Sequence, residues 1–184
     1  MNWNPDFEQA VHDDETTKAR GTSCYFVQLS ETTGLKLYPT KVERDASWVC
    51  QSVGAEYDIA PYTGECVDLV GLNIPAGDAP YWWACEHKEN TPETLYGFLT
   101  EIVEVDENAY DDESSYSLKK RLGELGFDNA GDLNGPNVGS TSDGTTVVVD
   151  WDARFTVYNL LTPDELDEVE SMYESGSLWH RAGC

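Results

Sequence analysis

The apolar and polar positions of the chain divide it into short runs of two periods. Cys24-Tyr25-Phe26-Val27-Gln28-Leu29 is rich in strand formers, and Leu35-Lys36-Leu37-Tyr38 alternates apolar with polar residues. The turn-like link Ser30-Glu31-Thr32-Thr33-Gly34 joins them, so the pair predicts a β-hairpin that Pro39 ends. Thr40-Lys41-Val42-Glu43 then has the form of a capping box. Val42, Ala46, Val49, Cys50 and Val53 recur at helical spacing behind it, with Gly54 as the expected stop. Glu65 to Val70 and Phe98 to Val103 read as strands, separated by turn residues from Gly71 to Pro80 and the apolar run Tyr81-Trp82-Trp83-Ala84-Cys85. Glu104 to Ser115 reads as an acidic loop, Ser117 to Leu125 as a helix with Leu118, Leu122 and Leu125 on one face, and Val147-Val148-Val149 as a short buried strand. A short helix is expected at Pro5 to Val11. A last one is expected from Thr162 to Glu174, with Thr162 as N-cap, Pro163 at the first position and Glu165 at the third. The mixture predicts an α+β fold.

Composition narrows this picture. At 184 residues, 40% hydrophobic and 11% aromatic, the chain fits one packed domain rather than a disordered one. It has no apolar run of spanning length, and its first residues have neither a basic nor an apolar stretch, so no membrane association and a cytoplasmic location are expected. Eleven Lys and Arg against 35 Asp and Glu leave a net charge of −24, which repels a phosphate backbone. Direct nucleic-acid binding through basic patches is therefore not expected. Salt adaptation, solubility and mimicry of a nucleic acid all remain open as the reason for this charge. The five cysteines, Cys24, Cys50, Cys66, Cys85 and Cys184, lack zinc spacing and are odd in number, so they read as buried or idle thiols.

The chemistry-bearing stretch runs from Gly126 to Asp152. Asp132 and Asn137 stand in the form Asp-Leu-x-x-x-Asn, and Asp150 follows three valines thirteen positions after Asn137. Asp-Leu-Asn-Gly-Pro-Asn also reads as a plain turn. With Lys36 on the second strand of the hairpin and a capped helix after it, the order resembles the protein-kinase-like fold, in particular the very small kinase-like proteins encoded by bacteriophages.

That resemblance implies a minimal kinase-like fold with a small β-rich N-lobe over 21–104, an acidic extension over 1–20 and a truncated helical C-lobe over 105–184. It implies ATP and Mg²⁺ as cofactors. Lys36 would orient the phosphates, Gly21 would lie in the nucleotide loop and Glu101 would lie in the hinge beside the adenine. Asp132 would position the acceptor hydroxyl, while Asn137 and Asp150 would hold the metals. Glu43 reads either as the helix partner of Lys36 or as the third residue of the cap. The sequence also departs from the family. Ala130-Gly131 replaces the His-Arg before the catalytic Asp, Asp150-Trp151-Asp152 replaces Asp-Phe-Gly, and no Ala-Pro-Glu motif follows. The expected function is phosphoryl transfer to a Ser or Thr of a host protein. The alternatives are a pseudokinase that binds a partner, or an acidic inhibitor of a DNA-binding enzyme.

Overall fold

A computed structural model of the chain describes residues 7–13, 15–21, 24–72, 74, 92–105, 113–125, 133 and 137–151. The hairpin forms as the pattern predicts: β2 (Tyr25–Gln28) pairs with β3 (Thr33–Tyr38), with Tyr25 opposite Leu37 and Val27 opposite Leu35. The Ser30 hydroxyl closes its turn by accepting from Thr32 N at 3.2 Å and Thr33 N at 3.1 Å. Around the hairpin stand β1 (Lys18–Arg20), β4 (Thr63–Val70) and β5 (Thr94–Glu101), in an antiparallel sheet of order β1-β2-β3-β5-β4. One face carries Tyr25, Val27, Leu35, Leu37 and Leu95, which pack with Leu72, Ile74 and Val11 of α1 (Phe7–His12). Residues within 1–20 thus supply α1 and β1 to this first unit, and Val11 is fully buried in its core.

The other face of the sheet, with Lys36, Tyr38, Phe98 and Thr100, meets α2 (Lys41–Glu56). Thr40 caps this helix as its sequence predicts. Its hydroxyl accepts from Glu43 N at 3.3 Å and donates to the Glu43 carboxylate at 2.7 Å. Arg44 and Trp48 fasten α2 to the sheet edge, through Gly97 O at 3.3 Å and Gly64 O at 3.0 Å.

Gly54 does not stop α2, which runs on to Glu56 with Tyr57 as its C-cap. A Cβ at Gly54 would lie 2.8 Å from Trp151 Cζ2 and 2.9 Å from Ala60 Cβ, so the glycine is there to admit the indole. The helix end is closed by Arg121, which donates to Tyr57 O at 2.6 Å and Asp58 O at 3.2 Å.

A second sheet, order β6-β7-β8, is built from β6 (Glu104–Val105), β7 (Val138–Ser140) and β8 (Thr146–Val148). The division drawn between 104 and 105 falls inside β6, whose strand partner is β7. Helix α3 (Glu113–Glu124) begins inside the stretch read as an acidic loop, and it buries Leu118 and Leu122. Its core also contains Cys50 of α2, Ile59, Ala60, Leu133, Val138, Val148 and Trp151, so α2 is shared between the two units. The architecture is α+β, as expected, and it is consistent with a minimal kinase-like fold. The apolar run 81–85 and the helix expected over 162–174 lie outside the described residues. Among the described residues no helix is long and apolar enough to cross a membrane.

Gly54→Ala tests the packing of Trp151. Alanine favours a helix by about 1 kcal/mol over glycine, while overpacking against a fixed indole costs about 1–3 kcal/mol. A net loss of stability is therefore expected in urea unfolding. A gain would show that the indole moves aside freely.

Candidate functional site

The site lies where β3, α2 and the end of β8 meet. Lys36 is only 5% exposed, because its strand is central and α2 covers it. Its amine donates to Gln51 Oε1 at 2.9 Å and to Val149 O at 2.6 Å, a contact across 113 positions of sequence. Phe98, opposite Lys36 on β5, places its ring centroid 5.8 Å from the amine. Val149 N in turn donates to Asn137 O at 2.9 Å. Two short hydrogen bonds therefore gather Lys36, Asn137 and the Val149-Asp150 segment at one place.

Electrostatics mark the same neighbourhood. Burial pushes the Lys36 amine below its ordinary range, against the pull of Cys24 and Asp150. Burial pushes the Cys24 thiol up to about 12, with Asp150 adding to the rise and Lys36 opposing it. Tyr38 is likewise held well above its usual value, first by burial and then by Cys24. Its hydroxyl lies 2.7 Å from Ser47 Oγ, and Ser47 donates to Trp151 O, which fixes the backbone just after Asp150.

The residues singled out in the sequence fall in different places. Asp150 acts on Lys36, and Asn137 joins the same segment through its backbone carbonyl, which accepts from Val149 N. Gly21 closes the β1–β2 turn by donating from its N–H to Cys24 O at 2.9 Å, and a Cβ there would lie 3.3 Å from Cys24 Sγ. Glu43 takes the capping role, and the helix residue that bonds Lys36 is Gln51, two turns further on. Glu101 ends β5, where its carboxylate accepts from Tyr62 N at 3.3 Å. It lines a cavity of about 290 Å³ with Asp58, Tyr62, Asp143 and Thr145, and none of Lys36, Asn137 and Asp150 is among its walls. Asp132 lies outside the described residues.

Sequence reasoning missed Gln51, Cys24 and the Val149 carbonyl. Gln51 had a signal: Arg44, Ser47 and Gln51 are polar at helical spacing among the apolar positions of α2, and all three are buried. A polar stripe inside a buried face indicates a polar partner across it. Nothing local marks the carbonyl, since any residue supplies one.

No family model matches the chain, and no curated protein matches it in sequence. Among solved structures it is similar to choline kinase LicA from Streptococcus pneumoniae. The identity is 12% and the TM-score 0.34, over 86% of this chain and 74% of that one. It is also similar to SAICAR-synthase from Saccharomyces cerevisiae, complexed with SAICAR, at 11% identity and a TM-score of 0.21, over 89% of this chain and 63% of that one. At such scores the fold rests on this chain's own strand order and contacts.

The thiols give a direct check of the site's interior. Cys66 is exposed, Cys50 is buried and Cys24 stays a protonated thiol far above neutral pH. Alkylation at pH 8, followed by peptide mapping, should modify Cys66 at least about tenfold faster than Cys24 or Cys50. Equal rates at Cys24 and Cys66 would place Cys24 in solvent.

Proposed function

We propose that the chain is an ATP- and Mg²⁺-dependent phosphotransferase of the protein-kinase-like class. The observation that carries this reading is the 2.6 Å bond from Lys36 Nζ to Val149 O, which brings a strand cation beside the Asn137 and Asp150 segment. The buried amine is held by two neutral oxygens and has Asp150 as a nearby charge, and a cation so placed is of the kind that contacts nucleotide phosphates. The Asp150 carboxylate and Asn137 amide oxygen are hard donors of the type Mg²⁺ takes.

ATP supplies the phosphoryl group when bound, and Mg²⁺ neutralises its charge. Lys36 would orient the phosphates and Asp132 would accept the proton of the acceptor hydroxyl. Positioning and electrostatics account for most of such catalysis. The acceptor is a Ser or Thr of a host protein, on the resemblance to phage-encoded kinase-like proteins. A second reading, nucleotide binding without transfer, is favoured by Trp151. This residue stands in place of the family's Phe and is fully buried against α2, and Asp152 follows where the family has Gly.

A thermal-shift titration tests the reading. Ligand at one hundred times its Kd stabilises by about 2.7 kcal/mol, or about 5–10 °C for a chain of this size. The shift should require Mg²⁺ and vanish in Asp150→Asn. Asp132→Ala should keep the shift and lose phosphoryl transfer. A shift without transfer by the wild type selects the second reading. No shift at millimolar ATP would sink both and turn attention to the acidic surface.

A further inference from the structure

We propose that the outer edge of β4 is a docking strand for a partner protein, which adds an extended basic segment antiparallel to Cys66–Val70. This site is separate from the nucleotide reading and uses none of its residues.

Strand β4 is the last of the five-stranded sheet, and among the described residues nothing pairs with its outer side. The opposite edge, β1, is three residues long, whereas β4 has eight. A register shift between Thr63 and Cys66 interrupts the ladder at its start, so the regular edge runs from Cys66 to Val70, about 14 Å. One bond fixes which backbone groups face outward. Gly71 N donates to Glu93 O at 2.8 Å, so Gly71 faces β5. Residues alternate in an antiparallel ladder, hence Leu69 and Val67 also turn their N–H and C=O groups to β5, and Cys66, Asp68 and Val70 turn theirs outward. The side chains alternate with the same period. Val67 and Leu69 pack on the core that holds Leu35, Leu37 and Leu95, while Cys66, Asp68 and Val70 are exposed, Val70 at 74%. A regular, exposed edge that presents backbone groups and an exposed valine is a template for a further strand.

Charge selects the occupant. Asp68 keeps 54% of its side chain exposed although Arg44 lies 3.3 Å away, and Glu65 is exposed where the ladder shifts. A second copy of this chain would bring the same acids, and a further net charge of −24, to the same edge. A segment with Lys or Arg opposite Cys66, Asp68 and Val70 has the complementary charge. Apolar residues at its alternate positions extend the face made by Val67 and Leu69. The segment recognised is therefore one in which basic and apolar residues alternate, with main-chain bonds for affinity and charge for selection.

The test uses the full chain and a capped heptapeptide in which lysine and valine alternate. Amide hydrogen exchange, read by NMR at saturating peptide, should slow at least about tenfold at Cys66, Asp68 and Val70 and change little at Val67 and Leu69. In antiparallel pairing the lysines stand opposite the outward-facing residues, so their amides bond β4. N-methylation of the lysine amides should weaken binding at least about tenfold, while N-methylation of the valine amides should leave it within about twofold. Asp68→Asn should weaken it about two- to fivefold. Other results overturn the proposal. Equal affinity of both methylated peptides, with no amide slowed, shows attraction by charge alone, and no binding at millimolar peptide removes the site. Slow exchange at all three amides before peptide is added shows that the chain covers its own edge. Slowing that grows with the concentration of the chain alone, together with a dimer in sedimentation, assigns the edge to a second copy.

Discussion

A protonated amine inside a protein needs oxygens around it, and much of this molecule is arranged around that need at Lys36. Removing an ammonium from water costs several kcal/mol after relaxation, while a hydrogen bond from a charged donor returns about 1.5–3 kcal/mol. Two such bonds, to Gln51 and Val149, bring the amine near balance and no further. Each acceptor comes from a different part of the chain. Gln51 is delivered by α2, which must be capped and docked, and Val149 by the end of β8, which must lie against the first unit. The bond at Val149 is therefore a condition on the tertiary fold as well as on the site.

Apolar packing enforces that condition. Trp151 is buried two residues beyond Val149, and its indole donates to Val148 O at 2.8 Å, which turns the ring back onto its own strand. Gly54 gives it room on α2. The chain Tyr38, Ser47 and Trp151 O then ties β3, α2 and this segment together. Asp150 thus stands between two fixed neighbours, Val149, whose carbonyl accepts from Lys36, and Trp151, whose carbonyl accepts from Ser47.

Local chemistry determined which parts were legible. The hairpin, the Thr40 cap and α2 were readable because their signals lie within a few residues of one another. The spacing of Asn137 and Asp150 was readable because only a tight hairpin of two short strands separates them. Strand β1 is Lys-Ala-Arg at a sheet edge, largely exposed, so no apolar alternation announces it. Strands β6 and β7 are two and three residues long, and they exist through pairing across more than thirty positions. Gly54 was read as a stop because its true neighbour, Trp151, is nearly one hundred positions away. Glu43 was ambiguous for the same reason: the sequence offers it as cap or as partner of Lys36, and only the docking of α2 shows that it caps while Gln51 meets the amine.

The net charge of −24 sharpens the meaning of a neutral Gln51. A strongly acidic molecule repels ATP at long range, although at physiological salt the repulsion fades beyond about 8 Å. Within that distance the potential is decided by the few groups that line the site. Among them Asp150 is negative, and a glutamate on α2 would add a second negative charge beside the cation. Gln51 instead holds the amine with a dipole and adds no charge to an already acidic chain.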